Sequence, residues 1–466
     1  MKKLKHTLIL TFITFSVISC SSNNNKTEPA IAKGKIIENL VCKQDPSTSY
    51  ALYLPSNYDS TIKYPLIIAF DSHGDGLKPV TLFKEQAEKY GYIVVGSNNS
   101  KNGQSWDNTN IIYNLMMTDI KARFSINESR IYTAGFSGGS RVASSIAILN
   151  GGIAGVVGFS AGFPNLNQPI RTKFDYLGIV GSSDFNYNEM SQLDKELQAN
   201  GFTHYLRVFN GKHEWPQPEV IPDMFYWLEF SAYRNKLSPS NFKVIADFEK
   251  KCQTEIDLCK TKKDAFGEYQ LELKLISFLN GVSDVEKYKN RLAELEKLPA
   301  VQTELKMVAA ETSKEQSLQQ LYQKAMTEKD PAWWKLEVSR INAIIAKNKD
   351  HREAFLYQRV LSYLSISGYS YSNSALRSGQ LNQAQRFITI YTLVDPENTD
   401  PLYFQAQLFA MKNDAPNALK SLDKAVDLGF NDTGKLQNDT TFSKLRSMPE
   451  YQKLIDKIGA KAKGGK

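Results

Sequence analysis

Residues 130–147 read RIYTAGFSGGSRVASSIA, with Ser137 set between glycines as Gly135-Phe136-Ser137-Gly138-Gly139. Arg130 to Ala134 has the β-branched and aromatic character of a strand, Gly135 to Gly139 that of a tight turn, and Ser140 to Leu149 that of a helix. A serine on a sharp strand-to-helix turn holds its hydroxyl above the end of a sheet, and flanking glycines let backbone segments approach closely. The helix start behind it favours negative charge developing nearby. Taken alone, the pattern is satisfied equally by glycines that serve only the turn. The rest of the chain must supply the partners.

A serine hydroxyl is a poor nucleophile until a base removes its proton, and that base needs an orienting carboxylate. After the strand-like YLGIVG comes Ser182-Ser183-Asp184-Phe185-Asn186, which puts Asp184 at a strand's carboxyl end, where open α/β sheets hold ligands. After the next such run, YLRVF, comes Asn210-Gly211-Lys212-His213-Glu214-Trp215-Pro216. Beyond residue 20 only His213, among four histidines, lies in a post-strand loop downstream of both Ser137 and Asp184. Ser137, Asp184 and His213 are therefore the candidate catalytic residues, in the order serine, acid, histidine. Asp107 precedes the serine and is the weaker candidate acid.

With RIYTAGFSGGSRVA around Ser137, GSSDF around Asp184 and NGKHEWP around His213, the chain resembles α/β hydrolases. Within them it resembles the polyhydroxybutyrate depolymerase and feruloyl esterase-like branch. The likeness spans residues 35–233 and implies a serine esterase with Ser137 as nucleophile, His213 as base and Asp184 as its orienter, with an ester as substrate and no cofactor or metal. Such enzymes place His-Gly directly after the third strand, whereas this chain has Phe70-Asp71-Ser72-His73-Gly74. The oxyanion donors are expected to be the backbone N–H of Gly138 and that of Ser72 or His73. Asp71, Trp106 and Trp215 are candidate pocket residues; a solvated turn carboxylate is the favoured reading of Asp71, and core packing accounts for the two tryptophans equally well.

Outward from the elbow, residues 35–233 alternate strand-like and helical runs. The strands are expected at IIENLVC, YALYLP, PLIIAF, YIVVGS, RIYTAG, AGVVGF, YLGIVG and YLRVF. A hairpin followed by strand-helix-strand units predicts a mostly parallel eight-stranded sheet with helices on both faces, the α/β-hydrolase fold class. After Arg234 the strand patterns stop and helices take over, which divides a catalytic region from an all-α one. Residues 234–349 read only as helical. In 350–466, Ala384 and Ala418 stand 34 residues apart, with Ile388 and Leu422 four further on, Tyr391 and Ala425 seven further on, and Pro396 as a terminator. That spacing resembles tetratricopeptide repeats, with Ala406, Phe409, Ala418, Leu422 and Ala425 at packing positions and SGYSYSNSALRSG as an irregular insertion. A helical bundle with coincidental spacing is the other reading. A repeat region implies a protein partner, and all three candidate catalytic residues lie before it. The alternatives to an esterase are a peptidase or acyltransferase on the same triad, or an interaction lipoprotein whose hydrolase domain is only a scaffold.

At the start, Lys2, Lys3 and Lys5 precede an apolar run from Leu8 to Ile18 and then Ser19-Cys20. This is the pattern of a secretory signal, with an apolar run too short for a stable span. Val17-Ile18-Ser19-Cys20 resembles the bacterial lipobox, implying removal of residues 1–19, lipidation of Cys20, a tether over 20–34 and an exported, membrane-anchored lipoprotein; an ordinary signal peptide is the alternative. Removing residues 1–19 lowers the formal charge from +8 to +5. With no basic cluster, that excess gives no support for nucleic-acid binding. Cys42, Cys252 and Cys259 remain; the last two sit seven apart in a helical pattern, about 10.5 Å along the axis and beyond disulfide reach.

Overall fold

The computed structural model describes residues 31–164, 170, 173–347 and 352–464. The segment expected to be a signal and Cys20 lie outside them. Eight strands and five helices make up the first half: β1 (Ile36–Val41), β2 (Ser49–Tyr53), β3 (Tyr64–Phe70), α1 (Leu77–Tyr90), β4 (Ile93–Ser97), α2 (Trp106–Arg123), β5 (Ile126–Phe136), α3 (Gly138–Leu149), β6 (Gly155–Phe159), β7 (Asp175–Gly181), α4 (Tyr187–Ala199), β8 (His204–Phe209) and α5 (Ile221–Arg234). All eight expected strands are present. They form one sheet in the order β1-β2-β4-β3-β5-β6-β7-β8. β1 and β2 are antiparallel, β2 runs antiparallel to β4, and every other pairing is parallel. This order and polarity are those of the α/β-hydrolase fold.

Strand periodicity explains why both faces are covered. Ala51, Tyr53, Ile67, Ala69, Val94, Tyr132, Ala134, Val157, Leu177 and Ile179 alternate along their strands and share one core with α1 and α5. Their neighbours Leu66, Ile68, Ile93, Val95, Thr133 and Val156 point the other way and are equally buried. On that side Thr133 donates to the Ala143 carbonyl of α3, and Tyr50 to Asp119 of α2. Strands buried on both faces read as continuous apolar runs, which is why they were visible in the sequence.

The second half is helical: α6 (Phe242–Lys262), α7 (Ala265–Leu279), α8 (Glu286–Glu296), α9 (Pro299–Glu328), α10 (Pro331–Lys347), α11 (Arg352–Arg377), α12 (Leu381–Val394), α13 (Asp400–Met411), α14 (Ala415–Leu428), α15 (Thr433–Asn438) and α16 (Pro449–Gly464). Residues from Lys33 onward form one compact unit. The first core does not stop at residue 233: Phe248, Cys252 and Ile256 of α6 and Leu275, Phe278 and Leu279 of α7 belong to it. A second core begins at Tyr322 and continues to Ile458. Ala384, Ala406, Ala418, Leu422 and Ala425 are buried in it, and Phe409 packs against it partly buried. The stretch SGYSYSNSALRSG, expected as an irregular insertion, is instead the second half of α11 and the turn after it. Cys42, Cys252 and Cys259 are free thiols, the last two both on α6. No helix among the described residues is long and apolar enough to cross a membrane.

Candidate active site

The chain turns sharply where β5 meets α3. Ser137 occupies this point with φ 55° and ψ −119°, a conformation that a non-glycine residue holds only where its surroundings enforce it. Its N–H is fixed by the Phe159 carbonyl at 2.8 Å, and its carbonyl receives the Ser140 N–H at 3.0 Å. A Cβ on Gly135 would run into the Gly139 carbonyl, and one on Gly139 into the Phe70 carbonyl at the end of β3. Both glycines are thus required by close backbone approach, which the sequence pattern alone left open.

The three candidate residues come together. His213 Nε2 lies 2.9 Å from Ser137 Oγ, and His213 Nδ1 lies 2.9 Å from Asp184 Oδ1. An ionised carboxylate only accepts, so the proton on Nδ1 points to Asp184 and Nε2 is left to accept from the serine hydroxyl. Asp184 follows β7 in a turn closed by its own carbonyl, which accepts from the Tyr187 N–H, and its Oδ1 also accepts from the Asn186 N–H at 2.8 Å. The residue is wholly buried, while the His213 side chain keeps 20% of its exposure. The Asp184 carboxylate is shielded from water and the His213 ring is open toward it.

Two aromatic rings lie against the imidazole. Phe136 lies 4.9 Å away between ring centroids and Phe185 4.1 Å. Their part was not legible in the sequence, since nothing in the order of residues tells which way the neighbour of a turn carboxylate points.

The loop after β3 closes the other side. The N–H of His73 donates to Asp71 Oδ1 at 2.8 Å, so it is occupied. Among the described residues no hydrogen bond is formed by the N–H of Ser72 or of Gly138. Of the two expected donors in this loop, Ser72 is therefore the available one, and the His73 side chain is exposed beside it. The Asn102 N–H donates to the Ser72 carbonyl at 2.8 Å, and the Asn102 carboxamide abuts Gly138 where a Cβ would stand. Asn102, absent from the expectations above, brings the loop after β4 to the elbow.

Two candidate pocket residues prove to be framework. Asp71 is buried and accepts from Trp215 Nε1 at 2.8 Å through its second oxygen. Trp215 is buried against Phe83, Phe136 and Phe159. A carboxylate and an indole committed to each other in the core are not free to meet a substrate. Trp106 starts α2 half-buried, and Asp107 beside it is exposed.

Among solved structures, the chain is similar to a mutant feruloyl esterase module from Clostridium thermocellum complexed with sinapinate: 17% identity over 39% of this chain and 82% of that one, TM-score 0.32. It is also similar to an S-formylglutathione hydrolase from Staphylococcus aureus, at 14% identity over 43% of this chain and 99% of that one, TM-score 0.35. A ferulic acid esterase from Anaeromyces mucronatus shares 20% identity over 39% and 84%, TM-score 0.31. No protein-family model matches the chain, and no curated protein matches it.

Proposed function

We propose that the chain is a serine hydrolase of carboxylic esters, working through an acyl-enzyme on Ser137. The observation that carries this reading is the unbroken run of contacts from Ser137 Oγ through the His213 ring to the buried Asp184 carboxylate, each at 2.9 Å. Ser137 Oγ attacks the ester carbonyl carbon as its proton passes to His213 Nε2. The imidazolium is stabilised by Asp184, and the carbonyl oxygen, now negative, is met by the free N–H groups of Gly138, at the start of α3, and of Ser72, in the loop after β3. Collapse breaks the bond to the alcohol oxygen, which leaves with the proton held on His213. Water, deprotonated by the same nitrogen, then attacks the acyl carbon and releases the acid. These steps need only groups of this chain and one water.

In the same reading Cys20 is the lipid-bearing residue of an exported, membrane-anchored protein. The helices from α11 onward form a tetratricopeptide-like surface for a protein partner. The spacing of Ala384 and Ala418 and their burial support the second point, and the Val17-Ile18-Ser19-Cys20 pattern the first.

Labelling with a serine-directed fluorophosphonate and turnover of p-nitrophenyl acetate test the reading. Ser137→Ala is expected to abolish labelling and lower turnover by at least about a thousandfold, since loss of the nucleophile removes most triad catalysis. Turnover near the wild-type value would show the chemistry to lie elsewhere.

A further inference from the structure

The turn that carries Asp184 is held from outside the sheet domain. Arg359 of α11 is buried, and its Nη1 donates to the Ser182 carbonyl at 2.6 Å, two residues before the acid. Its guanidinium also lies 4.4 Å from the ring centroid of Tyr187, whose N–H closes the Asp184 turn. The Ser183 hydroxyl between them donates to the Gln358 carboxamide, also on α11. Three anchor points, at Ser182, Ser183 and Tyr187, therefore fall on either side of one carboxylate. Arg359 is itself fixed by Glu315 of α9, which accepts from its Nε at 2.7 Å and is wholly buried.

A buried ion pair is a poor source of stability, because desolvation offsets most of the attraction. Burial pushes the Glu315 carboxyl above its ordinary range, and Arg359 only partly opposes that. The pair is better explained by what it holds. From within the sheet domain the backbone of the turn is tied by the Ser182 N–H to the Phe209 carbonyl and the Ser183 N–H to the Gly211 carbonyl, and the Asn186 carboxamide donates to the Ser160 carbonyl. The Asp184 carboxylate itself is held more sparsely: one oxygen takes both the Asn186 N–H and His213, and the second has no hydrogen-bond partner among the described residues.

We propose that Arg359, braced by Glu315 and assisted by Gln358, is a positioning residue that keeps the Asp184 carboxylate on His213, so that the helical half completes the active site. This rests on the triad reading above. Arg359 touches no reacting atom; it acts through the Ser182 carbonyl and the Tyr187 ring. Ser183 and Gln358 stand 175 positions apart in the chain, and helix packing brings them together.

The test uses the full-length chain. Arg359→Lys keeps a charge opposite Glu315, but one ammonium cannot reach Glu315, the Ser182 carbonyl and the Tyr187 face at once. With p-nitrophenyl acetate we expect kcat to fall about a hundredfold with KM unchanged, the scale of loss that a small misplacement of a catalytic group produces. The pH profile of kcat/KM is expected to shift, because the proton that passes to His213 during turnover has lost its fixed carboxylate partner. The downfield proton resonance of His213 Nδ1–H, recorded without substrate, is expected to move upfield in parallel. A merely structural role would scale activity equally at every pH and leave both signals in place. Gln358→Ala removes only the Ser183 contact and should show the same changes at smaller size, which keeps the test open if Arg359→Lys does not fold. A folded variant with neither shift, whatever its kcat, overturns the proposal. A wild-type chain that neither labels with fluorophosphonate nor cleaves the ester overturns the triad reading instead, while the resonance still reports whether α11 holds Asp184 on His213.

Discussion

At the scale of single residues, Asp71 sets the shape of the site without taking part in its chemistry. One oxygen receives the His73 N–H and turns the loop after β3, and the other receives the Trp215 indole two residues beyond His213. A single buried carboxylate thus links the loop expected to supply an oxyanion donor with the loop that carries His213. Asparagine at this position has one acceptor and one donor, so it satisfies only one of the two N–H groups and confronts the other with a second N–H. Asp71→Asn is expected to lower stability by about 1–3 kcal/mol, the cost of a buried donor left unpaired. Urea denaturation of the wild type and variant measures this; an unchanged midpoint would mean that the two bonds are dispensable. Ser137, Asp184 and His213 could be picked out because each follows a strand that reads as one. Asp71 and Trp215 could be named from the sequence but not assigned a direction. Whether a side chain past the end of a strand faces the cleft or the core depends on the backbone of the turn, which composition does not reveal.

At the scale of elements, α11 shows where local propensity misleads. Ser367 to Gly379 holds serines, tyrosines and glycines that favour turns in isolation, and a break is the natural expectation. In the structure Gly368 lies inside a continuous helix, where an added Cβ would stand 2.8 Å from Tyr391 Cβ of α12. The residue marks a close helix-to-helix approach, and the packing it permits outweighs its weak propensity. Two effects of opposite sign can be compared here. Gly368→Ala gains about 1 kcal/mol of helix propensity but forces a methyl group into the neighbouring tyrosine, at about 1–3 kcal/mol or more when the core cannot shift. A net fall in melting temperature is expected by calorimetry, and a rise would mean that α11 and α12 can move apart freely. The strands of the sheet were legible for the converse reason: their continuous apolar runs, bounded by turn residues, agree with the burial they meet.

At the scale of the whole molecule, the question is where the sheet-bearing half, with all three candidate catalytic residues, ends. Strand patterns stop before Tyr233, and all three candidate residues precede it, which made that residue the natural place for a division. The apolar core continues beyond it. Trp227 and Phe230 of α5 pack on Phe278 of α7 and Phe248 of α6, with centroids 5.1 and 5.2 Å apart. Asp223, also on α5, is wholly buried. Burial pushes its carboxyl upward, but Lys274, Lys251 and Arg207 outweigh that and hold it at about 2. Two of those three cations belong to α6 and α7. A chain cut after Tyr233 would lose them, leave a buried carboxylate with Arg207 alone, and bare the aromatic face of α5. At about 1.5–3 kcal/mol for each buried large side chain, losing Phe248, Ile256, Leu275, Phe278 and Leu279 alone rivals the about 5–15 kcal/mol that holds a typical domain together. We therefore expect residues 33–233 to be aggregated or without fixed tertiary structure by near-ultraviolet circular dichroism and gel filtration. A chain ending at Leu298, which keeps the whole first core through Tyr288, is expected to fold. It lacks Glu315, Gln358 and Arg359, so its turnover of p-nitrophenyl acetate should fall at least as far as that of Arg359→Lys. A well-folded 33–233 fragment would show that the sheet and α1 to α5 suffice for the catalytic half. A fully active Leu298 chain would show that the brace on the Asp184 turn is not needed.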